Sequence, residues 1–153
     1  MTPIRATTAA DLPVLAELHA RSFPEAWDQK SLADLIAAPG TVGLIAEPDQ
    51  GFILIRTVAD EAEILTICVA ERVRRSGVGG ALLRAAAGRA AEAGAGTMFL
   101  EVVADNEPAK ALYNRHGFAA VGVRHAYYRG RDALIMRAGL PLTLAVGNAG
   151  KTL

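Results

Sequence analysis

Residues 74–83 read RRSGVGGALL and join an apolar β-type run to a long helical one. Three glycines this close together mark a break between two regular elements, such as a tight strand-to-helix turn. Upstream, TVGLIAE, GFILIRTVA and AEILTICVA read as strands divided by PDQG and the acidic bend DEAE, the pattern of an antiparallel meander. Downstream, GALLRAAAGRAAEAGAG carries Leu82, Leu83, Ala86 and Ala90 as an apolar helical stripe, with Gly94 or Gly96 as its stop. TMFLEVV then reads as a strand, and NEPAKALYNRHGF as a helix capped by Asn106, with Pro108 in its first turn and Gly117 at its end. AAVGVRHAYY and DALIMRA are two last strands meeting across RGRD. Ahead of the meander, IRATTAADLPVLAELHARSF passes from strand to helix. Thr8 and Asp11 have capping-box spacing, although Pro13 in a first turn makes Asp11 an alternative cap. A second short helix spans Lys30 to Ala37. The order β-α-α-β-β-β-α-β-α-β-β describes an α/β protein with a mixed sheet.

A chain of 153 residues suits one domain with a proper core. The expected domain covers residues 1–140, and residues 141–153, rich in Gly and small residues, read as a C-terminal tail. Sixteen basic residues balance sixteen acidic ones, which argues against a chain-wide nucleic-acid surface. No apolar run approaches the ~20 residues of a membrane helix, and MTPIRATTAADL lacks the form of a secretory signal. One cysteine, Cys68, excludes an internal disulfide framework and a Cys-based zinc site, so a cytoplasmic setting is expected.

The glycine stretch has two readings. It lacks the Lys-Ser/Thr that a Walker-type loop needs, and it does not follow the first strand of a dinucleotide-binding unit. What remains is R-x-x-G-x-G opening a helix, either a steric turn or a main-chain cradle for a diphosphate that requires no metal. Glu101 interrupts an apolar strand, where a carboxylate is costly to bury. It is either a general base of raised pKa or a carboxylate solvated or paired with an arginine. Asn106 and Tyr113 stand seven residues apart, about two helical turns, on nearly one face. Singly they read as a cap and a core aromatic. His19, His116 and His125 have no ligand-like spacing, so no metal is expected. Cys68 reads as a small core residue, and Trp27, Tyr127 and Tyr128 as core or cleft walls.

Taken together, ILTICVAERVRRSGVGGALL, LEV, DNEPAKALYNRHGF and YY resemble the GCN5-related N-acetyltransferase (GNAT) superfamily over about residues 3 to 138. EILTI, LEV, YY and the Trp27 segment are most similar to its RimI-type branch, the ribosomal-protein-alanine N-acetyltransferases. The resemblance implies a mostly antiparallel sheet of about seven strands flanked by four helices, with the fourth and fifth strands splayed. It implies acetyl-CoA as cosubstrate. Ile67, Cys68 and Val69 would hold the pantetheine arm, the amides of Arg75, Ser76, Gly77, Val78, Gly79 and Gly80 the pyrophosphate, and Asn106 a further part. Glu101 would be the general base and Tyr113 the general acid for direct attack by a protein N-terminus, possible acceptors being ribosomal proteins. Trp27, Glu63, Tyr127 and Tyr128 would face the acceptor. The hairpin after Tyr128 is shorter than relatives commonly carry. Acetylation of a small amine or a lysine side chain, or a non-catalytic CoA-binding module, are the alternative readings.

Overall fold

The computed structural model describes residues 2–143. Seven strands form one sheet in the order β1-β2-β3-β4-β5-β7-β6. They are β1 (Ile4–Ala6), β2 (Thr41–Ala46), β3 (Gly51–Val58), β4 (Glu61–Val69), β5 (Thr97–Val103), β6 (Ala119–Tyr128) and β7 (Arg131–Gly139). Every neighbouring pair is antiparallel except β4 and β5, which run parallel because helix α3 (Val78–Glu92) crosses between them. The remaining helices are α1 (Leu12–Ser22), α2 (Gln29–Ala37) and α4 (Glu107–Arg115).

Two cores lie on opposite faces of the sheet. α3 and α4 cover one, where Leu82, Leu83, Ala86 and Ala90 meet Leu44, Ile53, Ile55, Met98, Leu100 and Met136. All four stripe residues expected from the sequence are fully buried. α1 and α2 cover the other face only over the first half of the sheet, enclosing Leu15, Leu18, Leu32, Ile45, Phe52 and Leu54. β2 and β3 are therefore apolar on both faces, and their sequences read as continuous apolar runs rather than alternating ones. Beyond β4 the α1/α2 face lies open.

Two local outcomes differ from the sequence reading. α3 begins at Val78, so Gly79 and Gly80 stand inside its first turn. α2 is capped by Asp28, whose Oδ1 accepts from the Ser31 N–H at 2.8 Å. The Thr8–Asp11 capping box expected from the spacing is formed: Asp11, which also stands at the N-cap position of α1, accepts from the Thr8 N–H at 2.7 Å and from Arg5 through two bonds of 2.8 Å. Those donors hold its pKa at about 2. At the other end, Leu140 and Leu142 pack against the α3/α4 core, and residues 144–153 of the expected tail lie outside the described residues.

Candidate active site

The site begins with an irregularity in β4. Leu54 pairs with Thr66 and Ile55 with Ile64, so Leu65 is an extra residue, a β-bulge. The bulge shifts the side-chain alternation. Ile64 faces the α3/α4 core, as do Ile67 and Val69 beyond it, while Leu65 and Cys68 face the α1/α2 core. Pairing of β4 with β5 ends at Glu63 and Phe99, immediately before the bulge. Beyond that point the strands splay as expected. Ile67, Cys68 and Val69 still pair with Ile53, Phe52 and Gly51 of β3, but their other edge faces a gap.

The chain leaving β4 lies at one end of this gap. Arg75 (φ 68°) and Gly77 (φ 93°) adopt left-handed backbone on either side of Ser76, which curves the main chain into a concave nest. Among the described residues, the N–H groups of Arg75, Gly77, Val78, Gly79 and Gly80 have no acceptor. The Ser76 N–H is taken by the Val73 carbonyl at 3.2 Å. Free amides converging at a helix start favour an anion. Steric need is visible as well. A Cβ at Gly79 would lie 3.3 Å from Leu112 Cδ2 and 3.6 Å from Val69 Cγ2, so α3 starts in a narrow space between α4 and β4. At Gly80 a Cβ would come within 3.0 Å of Arg84 Nη1 and 3.3 Å of His116 Cε1. The turn and cradle readings are thus compatible. The residues fit a diphosphate held by main chain, with a slot between β4 and β5 for an extended arm.

Asn106 caps α4 as read, its Oδ1 accepting from the Ala109 N–H at 3.3 Å. Tyr113 is buried on the inner side of α4, its ring edge-on to Phe118 at 5.9 Å. Burial pushes its phenol up to about 12, with a further contribution from the neighbouring Cys68 thiol. Burial likewise pushes Cys68 up to about 11. Both protons therefore stay in place at neutral pH. We predict that Cys68 resists alkylation by iodoacetamide at pH 8 in native protein and reacts on denaturation, as mass spectrometry will show. Since the ordinary values are 9.0 and 10.0, the unfolded chain releases these protons first. Stability consequently falls as pH rises from about 9 through 12.

Glu101 stands on the open face of β5. It lines a cleft of about 500 Å³ with Glu63, Phe99, Ile135, Arg56 and Arg124, among others. Its Oε2 accepts from Arg124 Nε at 2.8 Å, and its side chain is 24% exposed. Of the two sequence readings, the arginine-paired carboxylate describes its surroundings. Arg124 is a residue that sequence reasoning missed. The GVRHA alternation places it on one face with Gly122, but only the strand order brings that face to Glu101.

The four expected acceptor residues are distributed unequally. Glu63 joins Glu101 in the cleft. Tyr127 is half exposed and lies under Arg124, whose Cζ is 5.4 Å from its ring centre. The Tyr128 side chain is outside the described residues. Trp27 does not line this cleft. Its ring stacks on His19 at 4.6 Å, and its main-chain N–H donates to His19 Nδ1 at 3.0 Å, which fixes the α1–α2 loop against the α1/α2 core. Glu25 of that loop approaches Arg129 at 3.6 Å in the β6–β7 turn, so loop and hairpin meet at their rims. Arg129 (φ 50°) and Gly130 (φ 80°) form a two-residue type I′ turn, so Arg131 and Asp132 already belong to β7.

Burial lowers the pKa of His19 below its usual 6.5. The stabilisation it gives is present above pH 6.5 and lost as pH falls through the lower folded value. Trp27 is the chain's single tryptophan. Its fluorescence is expected to hold steady above pH 6.5, to change on acidification, and to lose that transition in His19→Gln.

A sheet splayed beside a main-chain anion cradle, with an ionisable cleft opposite, is the architecture of an acyltransferase. The chain belongs to the acetyltransferase (GNAT) family, whose sequence profile matches residues 12–118, and it is an acetyl-CoA-dependent N-acetyltransferase. Within that family it falls in the RimI-type branch. It is 32% identical to the [ribosomal protein bS18]-alanine N-acetyltransferase of Escherichia coli (strain K12), over 94% of this chain and 100% of the relative. It is 35% identical to the N-alpha-acetyltransferase RimI of Mycobacterium tuberculosis, over 88% and 90%. The crystal structure of the ribosomal-protein-S18-alanine N-acetyltransferase from Escherichia coli superposes with a TM-score of 0.82 at 30% identity, covering 97% of this chain and 98% of that one. Among the described residues no helix is long and apolar enough to cross a membrane.

Proposed function

We propose that the protein acetylates the α-amino group of a protein N-terminus beginning with a small residue such as alanine, a ribosomal protein being the leading acceptor. One observation carries this reading: Glu101 stands in an open cleft on the side of β5 opposite the α3/α4 core, near the point where β4 and β5 part. Coenzyme A supplies an acetyl group activated as a thioester. The main-chain amides around Gly77–Gly80 hold its pyrophosphate, and the free edge of Ile67, Cys68 and Val69 holds the pantetheine arm. Asn106, at the start of α4, contacts the cosubstrate further along.

An α-ammonium group has a pKa of about 8 and must lose a proton before its nitrogen can attack. Glu101 takes that proton, directly or through water. A main-chain N–H of the Val69 strand stabilises negative charge on the acyl oxygen in this reading. Tyr113, protonated to about pH 12, donates a proton to the departing thiolate. Cys68 is not an acyl carrier, because its thiol stays protonated. The relatives' acceptor supports the choice of an N-terminus.

Incubation of a ribosomal protein fraction with labelled acetyl-CoA, followed by mass spectrometry, tests the reading. Label on the α-amino group of one N-terminal alanine is expected. Label confined to lysine side chains, to polyamines or to free amino acids would overturn it.

A further inference from the structure

Arg124 and Glu101 are not on neighbouring strands. Glu101 pairs with Ile135 of β7, and Arg124 pairs with Ala133 of the same strand, so the guanidinium crosses the whole width of β7 to reach the carboxylate. Ala133, the register partner of Arg124, is fully buried although it belongs to neither core cluster, and alternation along β7 puts it on the same face as Ile135, which lines the cleft. The ion pair is half exposed, with side chains 51% and 24% accessible, and such a pair contributes little to stability. Its consequence is directional.

We propose that Arg124 is a positioning residue that fixes the rotamer of Glu101 and couples it to the acceptor-side wall. The inference rests on the reading of Glu101 as base. Arg124 Nε engages only Oε2, which leaves Oε1 without a partner among the described residues and therefore as the oxygen presented to the acceptor ammonium. The same guanidinium lies against the Tyr127 ring. Between Arg124 and Tyr128 the β6–β7 register shifts, and Ala126 takes φ 54° with its N–H donating to Asp132 Oδ1 at 2.9 Å. The strand thus leaves the regular ladder directly after Arg124, and the irregular segment carries Tyr127 back to the guanidinium. An acceptor that displaces Tyr127 would be felt at Glu101 through one side chain.

The test is steady-state kinetics of the full chain with acetyl-CoA and a hexapeptide bearing an N-terminal alanine. Arg124→Gln is expected to lower kcat by about tenfold to a hundredfold, the scale of a misplaced reacting group. The KM for acetyl-CoA should not change. Arg124→Lys should recover most of the loss, since a cation of similar reach still holds one oxygen. The Arg124→Gln/Glu101→Gln double variant should be no slower than Glu101→Gln alone, which shows that the arginine acts through the carboxylate. Ala133→Leu, which places bulk on that face beside Arg124, should reproduce the Arg124→Gln defect. Wild-type kcat in Arg124→Gln, or additive losses in the double variant, would overturn the positioning role while leaving Glu101 as base. Wild-type turnover in Glu101→Gln would instead remove the base reading on which it stands.

Discussion

Glu101→Gln is expected to reduce turnover about 10²- to 10⁴-fold, the usual contribution of a positioned general base. The substitution keeps the shape of the side chain and lets the amide oxygen still accept from Arg124, so the fold and the KM for acetyl-CoA should survive. It removes only the capacity to take a proton. A rate that recovers at high pH would sharpen the conclusion, because an acceptor already deprotonated in solution needs the base least. Tyr113→Phe should behave differently. The phenol is buried edge-on to Phe118, so the phenyl group fits the same space, and a smaller loss in kcat is expected with stability unchanged or slightly raised. Circular dichroism melts beside progress curves would separate the two variants.

Gly77→Val should be the most damaging change to cosubstrate binding. Its φ of 93° and the left-handed Arg75 two residues before it set the direction of the free amides at the start of α3. A β-branched residue is strained in that region, at a cost of roughly 1–3 kcal/mol. Space is not the obstacle, since a Cβ there would meet nothing within 4 Å. The chain is expected to relieve the strain by rotating the peptide, which turns N–H groups away from the cradle. We anticipate an acetyl-CoA Kd raised at least about tenfold, equivalent to ~1.4 kcal/mol. Isothermal titration calorimetry would measure it, and an unchanged Kd would place the pyrophosphate elsewhere.

Much of this architecture could be read from local pattern. β5 spans the TMFLEVV segment read as a strand, because alternation there is strict: Met98, Leu100 and Val102 are buried and the residues between them are less so. The α3 stripe, the Asn106 cap and the Gly117 stop are equally local signals. The splay and the residue roles came from resemblance, not periodicity. What escaped was long-range. That β7 inserts between β5 and β6 is decided by which faces can be buried, and no window of sequence contains that information. Arg124 was missed for this reason, since its partner lies across a strand that comes after both in the chain. Trp27 reads from the sequence as core or cleft wall, and only the resemblance turns it toward the acceptor, because an aromatic in a loop looks the same whether it meets a ligand or a buried histidine. His19, eight residues earlier, was the signal, but a lone histidine gives no direction.

The extra residue at Leu65 has a consequence for how this protein can vary. Before it, even-numbered side chains of β4 face α3. After it, odd-numbered ones do. The strand is read in two phases, and Leu65 is the frameshift between them. Losing that single residue would straighten the strand yet leave Ile67 and Val69 on the α3 side and Cys68 opposite, because Thr66 would follow Ile64 with its partner Leu54 unchanged. Straightening the strand with Leu65 kept would instead make them exchange sides. The row of groups beside the slot is thus kept only while the extra residue is absorbed as a bulge or is absent altogether. Relatives of this fold should therefore either keep the bulge or lack its residue, and should not carry that residue in a straight strand.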